Sequence, residues 1–258
     1  MFNFQLYPKM TKAIIPNKIN LSTTSFANSF YNMTNLIHAE VPHERITNMS
    51  RMYYNCINLT DAPVCGPRVT NMYAAYCNCT NLTGSPVCGD AVTNMWYTYQ
   101  GCTNITGAGA CGNRVKEMYK AYEGCTNLTG PAIVGENVST IVNAYRDCVN
   151  LAGNAYIYSP NIHINSMSNC FEGRNLSSRL NIYIPANTNT ADSFRYNSYQ
   201  EYENANGSGT TTGLYVMHIV NEVYWTINSA ANYYYSPKHN IYVYPVENVA
   251  AARAANGD

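Results

Sequence analysis

The chain has 258 residues, enough to bury a full core, and its 15 Lys+Arg balance 15 Asp+Glu for a formal net charge of zero. Charged residues make up only 12%, roughly half the usual share of a soluble domain, so solubility must rest on Asn, Thr, Ser, Gly and the 24 tyrosines. No Lys/Arg run is present to neutralise phosphates or anionic lipid, which argues against nucleic acid and membrane surfaces as partners, and no stretch reaches the roughly 18 apolar residues of a membrane span.

Residues 1–25 carry no basic leader followed by an unbroken apolar core and a small-residue cleavage site. They read as an N-terminal cap or attachment segment. A chain that stays in a reducing compartment is expected to keep its ten cysteines as free thiols rather than as a disulfide framework.

From residue 26 the sequence repeats. Asn35, Asn58, Asn81, Asn104, Asn127 and Asn150 are spaced by 23 residues, each followed by Leu or Ile. Two positions before them stand Met33, Cys56, Cys79, Cys102, Cys125 and Cys148. A Met column (Met49, Met72, Met95, Met118) and an aromatic column four residues on (Phe30, Tyr53, Tyr76, Tyr99, Tyr122, Tyr145, Phe171) keep the same frame. Val69, Met72, Tyr76 and Cys79 fall at offsets of 3, 7 and 10, which predicts one face of a short helix with Thr70 or Asn71 at its N-cap. Such a helix, only two to three turns long, would depend on its neighbours.

The other half of each unit, 82–89 in one copy, holds Val87, Cys88 and Gly89 after Pro86. It predicts a short strand that begins after the proline and pairs in parallel with its equivalent in the next unit, with the glycine at a turn. A strand and a short helix every 23 residues define an α/β repeat, a right-handed leucine-rich-repeat solenoid over residues 26–180 of about seven coils.

Residues 93–107, TNMWYTYQGCTNITG, and 117–130, EMYKAYEGCTNLTG, resemble the units of BspA-like leucine-rich-repeat surface proteins, with Tyr where that family usually has Phe. The resemblance covers residues 26–180. It implies the solenoid fold, and it implies a role at a surface, since such repeats occur in bacterial adhesins, in lipoproteins and in proteins of phages that infect gut bacteria.

Residues 181–258 read as degenerate repeats and a β-rich C-terminal cap. Residues 181–194 and 240–252 look like two decayed strand-to-helix units, 203–213 like a Gly/Ser/Thr loop and 214–227 like an alternating β run.

The cysteine columns lack the clustered spacing of a metal site and read as small buried hydrophobes. The Asn columns read as a ladder that satisfies turn backbone beside the buried Leu, rather than as glycan acceptors. The five histidines are scattered, and no nucleophile, carboxylate pair or phosphate-cradling loop stands out. No enzyme, cofactor or metal is therefore expected.

What remains is surface. Tyr73, Trp96, Tyr97 and Tyr119 follow the Met column and form the candidate binding face, because aromatic and Asn/Thr-rich surfaces give contact area at low entropic cost. The expectation is a virion structural protein (phage tail, fibre or capsid decoration) that uses this face for assembly or host attachment. Its partners would be other virion or surface subunits, a second copy, or a host-surface glycan or protein. A bacterial cell-surface adhesin or lipoprotein is the alternative, and a surface polysaccharide hydrolase a distant third.

Overall fold

Residues 72–79 set the pattern of the molecule, and they are not helical. The computed structural model describes residues 3–16, 23–160, 162, 164–185, 226–228, 233–236 and 239–258. In it the N–H groups of Met72, Ala74, Tyr76 and Asn78 donate to the carbonyls of Asn94, Trp96, Thr98 and Gln100 at 2.7–3.0 Å. Those of Ala75, Cys77 and Cys79 donate back to Met72, Ala74 and Tyr76. Donors thus alternate between the residue's own turn and the next repeat. An α-helix would direct every N–H along its own axis and leave none for a neighbour.

The expected helix is therefore replaced by tandem turns, and the reason is backbone sign. The second and sixth residues after the Met column have positive φ: Ala74 at 51° and Asn78 at 61°, for example. Positive φ at the third position of a turn is what a type II turn requires. Asn71 caps such a turn, not a helix, its Oδ1 accepting the N–H of Tyr73 at 2.8 Å. Asn48 and Asn94 do the same for Ser50 and Trp96. Parallel bridges Ser25↔Asn48↔Asn71↔Asn94↔Glu117↔Thr140 run through this half of the repeats. The pattern survives the three-residue insertion, since Ile141 and Asn143 donate to Ser166 and Ser168.

The other half of the repeat forms strands only at the N-terminal end and from residue 109 onward, so the main sheet starts later in the chain than the sequence implied. Two short strands, β1 (Lys12–Ile14) and β2 (His38–Glu40), pair in parallel at the N-terminal end. Strands β3 (Gly109–Ala110), β4 (Ala132–Val134), β5 (Gly153–Ile157), β6 (Leu180–Pro185), β7 (Thr226–Asn228), β8 (Tyr233–Ser236) and β9 (Ile241–Val246) form one sheet in the order β3-β4-β5-β6-β9-β8-β7. It is parallel from β3 to β9 and antiparallel across β9, β8 and β7. The fold is thus mixed α/β with a mostly parallel sheet and few helices.

No strand forms at 62–66 or 85–89, where Pro63 and Pro86 remove ladder donors. A tyrosine hydroxyl takes the place of a neighbouring strand there. Tyr76 Oη donates to Val64 O at 2.7 Å and accepts from Val64 N–H at 3.0 Å. Tyr99 does the same for Val87 at 2.8 and 3.2 Å. Gly66, Gly89, Gly112 and Gly135 mark close approach rather than a positive φ: a Cβ on Gly89 would sit 3.0 Å from both Cys65 Sγ and Gly66 O.

The core between the two halves is a set of columns. Phe4, Phe30, Tyr53, Tyr76, Tyr99, Tyr122, Tyr145 and Phe171 form one continuous ring stack with centroids 4.7–5.5 Å apart and planes within 16° of parallel. Each such pair is worth about 0.5–1.5 kcal/mol beyond the area it buries. The Met column, Val69, Val92, Val115 and Val138, and Leu36, Leu82, Leu128 and Leu151 are fully buried beside it.

Residues 240–252 do behave as a strand-to-helix unit. Strand β9 leads into the one α-helix among the described residues, α1 (Val249–Asn256), capped by Asn248 at its start and by Gly257 at φ 76° at its end. The buried Arg174 guanidinium ties this region to the repeats by donating to the carbonyls of Ser178, His239 and Asn240. Burial lowers its pKa to about 10. Strand β6 occupies the start of the 181–194 unit. The rest of that unit, the 203–213 loop and most of the 214–227 run lie outside the described residues.

Tyr99→Phe keeps the ring stack and deletes the hydroxyl, leaving both Val87 backbone groups without their partner. Stability should fall by about 1–3 kcal/mol, read as a lower denaturation midpoint at unchanged slope. An unchanged midpoint would mean that the hydroxyl pairing is dispensable.

Candidate binding surface

The buried columns leave little chemistry unused. Cys56, Cys79, Cys102, Cys125 and Cys148 each donate Sγ–H at 3.0 Å to the carbonyl of an aromatic-column residue in the preceding repeat (Phe30, Tyr53, Tyr76, Tyr99, Tyr122). The cysteine is therefore a hydrogen-bonding member of the ladder as well as a small hydrophobe. All ten cysteines are free. Burial pushes the Cys56 and Cys88 thiols up to about 12 and those of Cys77 and Cys111 up to about 11, so none is a thiolate nucleophile near neutrality. No group of three or more His, Cys, Asp and Glu side chains among the described residues could hold a metal ion.

The Asn column is more exposed than the sequence suggested. Asn58 donates to Thr34 O, but Asn81 and Asn127 donate to the amide oxygens of Asn58 and Asn104, and Asn150 is exposed. Alongside runs a threonine ladder, Thr80, Thr103 and Thr126, each hydroxyl donating to a carbonyl 23 residues earlier. The neutral polar composition is thus spent on holding adjacent repeats in register along their solvent side.

The four predicted surface aromatics come together. Tyr73 and Tyr97 meet edge to face at 5.9 Å, as do Tyr97 and Tyr119 at 5.3 Å, and Trp96 lies tilted against Tyr119 at 5.8 Å. All four are half-buried. Trp96 Nε1 is buried without a hydrogen-bond partner among the described residues, an uncommon state for a native polar group. Charged side chains frame the patch. Lys120 and Arg146 lie 3.2 and 3.9 Å from Glu123, which also accepts from Gln100 at 2.6 Å. Arg51 sits over the Tyr73 ring at 5.1 Å.

The backbone beneath this patch is strained. At the first positive-φ position the outer repeats use Asn28, Asn143 and Asn169, but the middle four use Arg51, Ala74, Tyr97 and Lys120. The left-handed region costs such residues about 1–2 kcal/mol each relative to glycine, and Asn less. The second position keeps to Asn, Gly and Asp throughout. The strain is confined to one column of four consecutive repeats, and Tyr97, one of the four, is itself a member of the aromatic patch.

Two further features escaped the sequence reading. His38 is clamped between Asp61 at 2.8 Å and Glu40 at 2.9 Å. The bond to Asp61, then that to Glu40, raises its pKa above the ordinary histidine value. It borders an open recess of ≈ 480 Å³ that also takes in His43, whose pKa burial lowers. The clue in sequence was Asp61, which occupies a column that is glycine at Gly84, Gly107 and Gly130. On the sheet face away from the ring stack, Tyr156, itself fully buried with its hydroxyl donating to Asp258, stacks with Tyr183 and that in turn with Tyr244, at 5.3 and 5.2 Å, and Arg179 lies 3.7 Å from the Tyr242 ring centroid. The signal there was the shared alternation of 153–157, 180–185 and 241–246, whose Tyr residues fall in register.

Compared with known proteins, the chain matches no family model, no curated protein and no solved structure. Among the described residues no helix is long and apolar enough to cross a membrane.

Raised thiol pKa values have a signed consequence. The folded state keeps its thiol protons while the unfolded chain loses half of them by the ordinary thiol value of 9.0, so unfolding releases protons in that range and stability falls as pH rises. Stability should be level from neutral pH to about 8 and then decline steadily toward 12, read by denaturant midpoints at each pH. The native protein should leave the buried thiols unlabelled by a thiol reagent, and unfolding should reveal all ten. Rapid labelling of most thiols at pH 7 would contradict this.

Proposed function

We propose that this chain is a non-enzymatic structural and binding protein, a leucine-rich-repeat solenoid of BspA-like kind, serving as a virion component such as a phage tail, fibre or capsid decoration protein. The aromatic patch would mediate assembly or attachment to a host surface. The observation that carries the reading is the strained column: Arg51, Ala74, Tyr97 and Lys120 accept positive φ at the cluster of Tyr73, Trp96, Tyr97 and Tyr119, whereas the buried aromatic and cysteine columns stack and hydrogen-bond between repeats. Parallel bonding between residues 22–23 positions apart supports the solenoid reading, and the resemblance of residues 93–107 and 117–130 to BspA-like units supports the kind. A bacterial cell-surface adhesin is the second reading. It uses the same face and differs in where the protein is displayed.

Tyr97→Asn separates surface function from folding, because Asn already occupies that column at Asn28 and Asn143. The variant should melt at or above the parent temperature. Its binding to intact bacterial cells, or its self-association by light scattering, should weaken by about tenfold, as should that of Trp96→Ala. Unaffected binding and assembly in both variants would exclude this face as the working surface.

A further inference from the structure

The patch contains a gap, and the gap is built by two coincident substitutions. In the column of Tyr31, Tyr54, Cys77, Gln100 and Glu123, Tyr31 and Tyr54 stack at 4.9 Å. The stack ends there, since the next residue is a cysteine. In the strained column the same repeat carries Ala74 between Arg51 and Tyr97. Both columns therefore shrink in one repeat, and an open recess of ≈ 240 Å³ results, with Ala74 and Cys77 among its walls and Tyr54, Tyr97, Arg51 and Gln100 around it. The side of Tyr54 toward the next repeat lacks the ring that an aromatic at Cys77 would place on it.

Charge completes the description. Lys120 and Arg146 each lie against Glu123, but among the described residues Arg51 has no carboxylate partner, only the Tyr73 ring and a long bond from its guanidinium to Tyr73 Oη at 3.4 Å. Arg51 is also held at φ 51° where Asn would be relaxed. A guanidinium with no carboxylate partner among the described residues, beside a slot lined by Tyr54, Tyr97 and Gln100, whose carboxamide accepts from Cys77 and donates to Glu123, matches a flat, hydroxylated ring bearing an anion.

Building on the surface-binding reading above, we propose that the recess is a saccharide site for a pyranose that carries a carboxylate, a uronic or sialic acid unit of an acidic glycan. The sugar ring stacks on Tyr54 above Ala74 and Cys77, its carboxylate takes the bidentate bond of Arg51, and its hydroxyls reach Tyr97 and Gln100. An apolar side chain from a partner protein fits less well, because it would bring no counter-charge to the Arg51 guanidinium, which has no carboxylate partner among the described residues.

The test is titration of the full chain with oligogalacturonate, a glucuronate oligosaccharide and a sialylated oligosaccharide, each beside its neutral methyl ester, by calorimetry and saturation-transfer NMR. At least one acid should bind with saturation of its ring protons, and its methyl ester should bind about tenfold or more weakly. Arg51→Asn should lose a similar factor while melting at or above the parent temperature, and Cys77→Tyr, which continues the Tyr31–Tyr54 stack into the slot, should abolish binding. Equal affinity for acid and ester, no binding by any acid, or equal affinity for inorganic phosphate alone would each overturn the assignment. If Tyr97→Asn still weakens cell binding or assembly while no acidic sugar binds, the surface reading survives and the sugar site alone is refuted.

Discussion

Everything in this molecule depends on how the backbone of the turn segments divides its hydrogen bonds. Alternate N–H groups close four-residue turns, and the ones between them reach the carbonyl of the next repeat. A helix satisfies itself and packs through side chains alone, whereas these segments are satisfied only when a neighbour is present. Each repeat is therefore bonded along its main chain to the repeats on either side, over residues 26–171 and across the insertion near 164.

That division fixes the side chains. Neighbouring repeats joined at every second residue must keep one register, so identical positions lie on one another and the cheapest side chain is one that stacks on itself. Tyrosine and phenylalanine do so through their rings, asparagine through amide-to-amide bonds, threonine and cysteine by donating to a carbonyl of the previous repeat. The low charge follows, because like charges repeated along a column would repel. A few positions break the rule of their own column. Arg51, Ala74, Tyr97 and Lys120 break the preference for Asn or Gly at positive φ, Cys77 breaks a stack of tyrosines, and Asp61 breaks a column of glycines.

Much of this was legible in the sequence. The period, the identity of the core columns and the four surface aromatics are all read directly from residues 23 apart. The secondary structure was not. Buried positions at Val69, Met72, Tyr76 and Cys79 fit a helical period, but turns that recur every four residues from Met72 bury the same side chains, and four points cannot separate the two. The distinguishing signal was one column over: Asn55, Asn78, Gly101, Gly124 and Gly173 recur at a position where a helix gains nothing from Asn or Gly and a left-handed turn needs them. The strands at 62–66 and 85–89 failed because the prolines left their pairing to tyrosine hydroxyls, a long-range exchange that no local pattern reveals. The His38 clamp and the recess beside Tyr54 arise from departures in single repeats, which a search for periodicity averages away.

Hydrogen-bond-transmitted couplings between amide nitrogens and carbonyl carbons test the central claim most directly, since they report donor and acceptor by residue. Tyr76 N should couple to Thr98 C′, Ala74 N to Trp96 C′ and Tyr99 N to Ala121 C′, with Ala75, Cys77 and Cys79 coupling three residues back. Couplings from each amide to the carbonyl four residues earlier, with none between repeats, would show short helices and contradict the account.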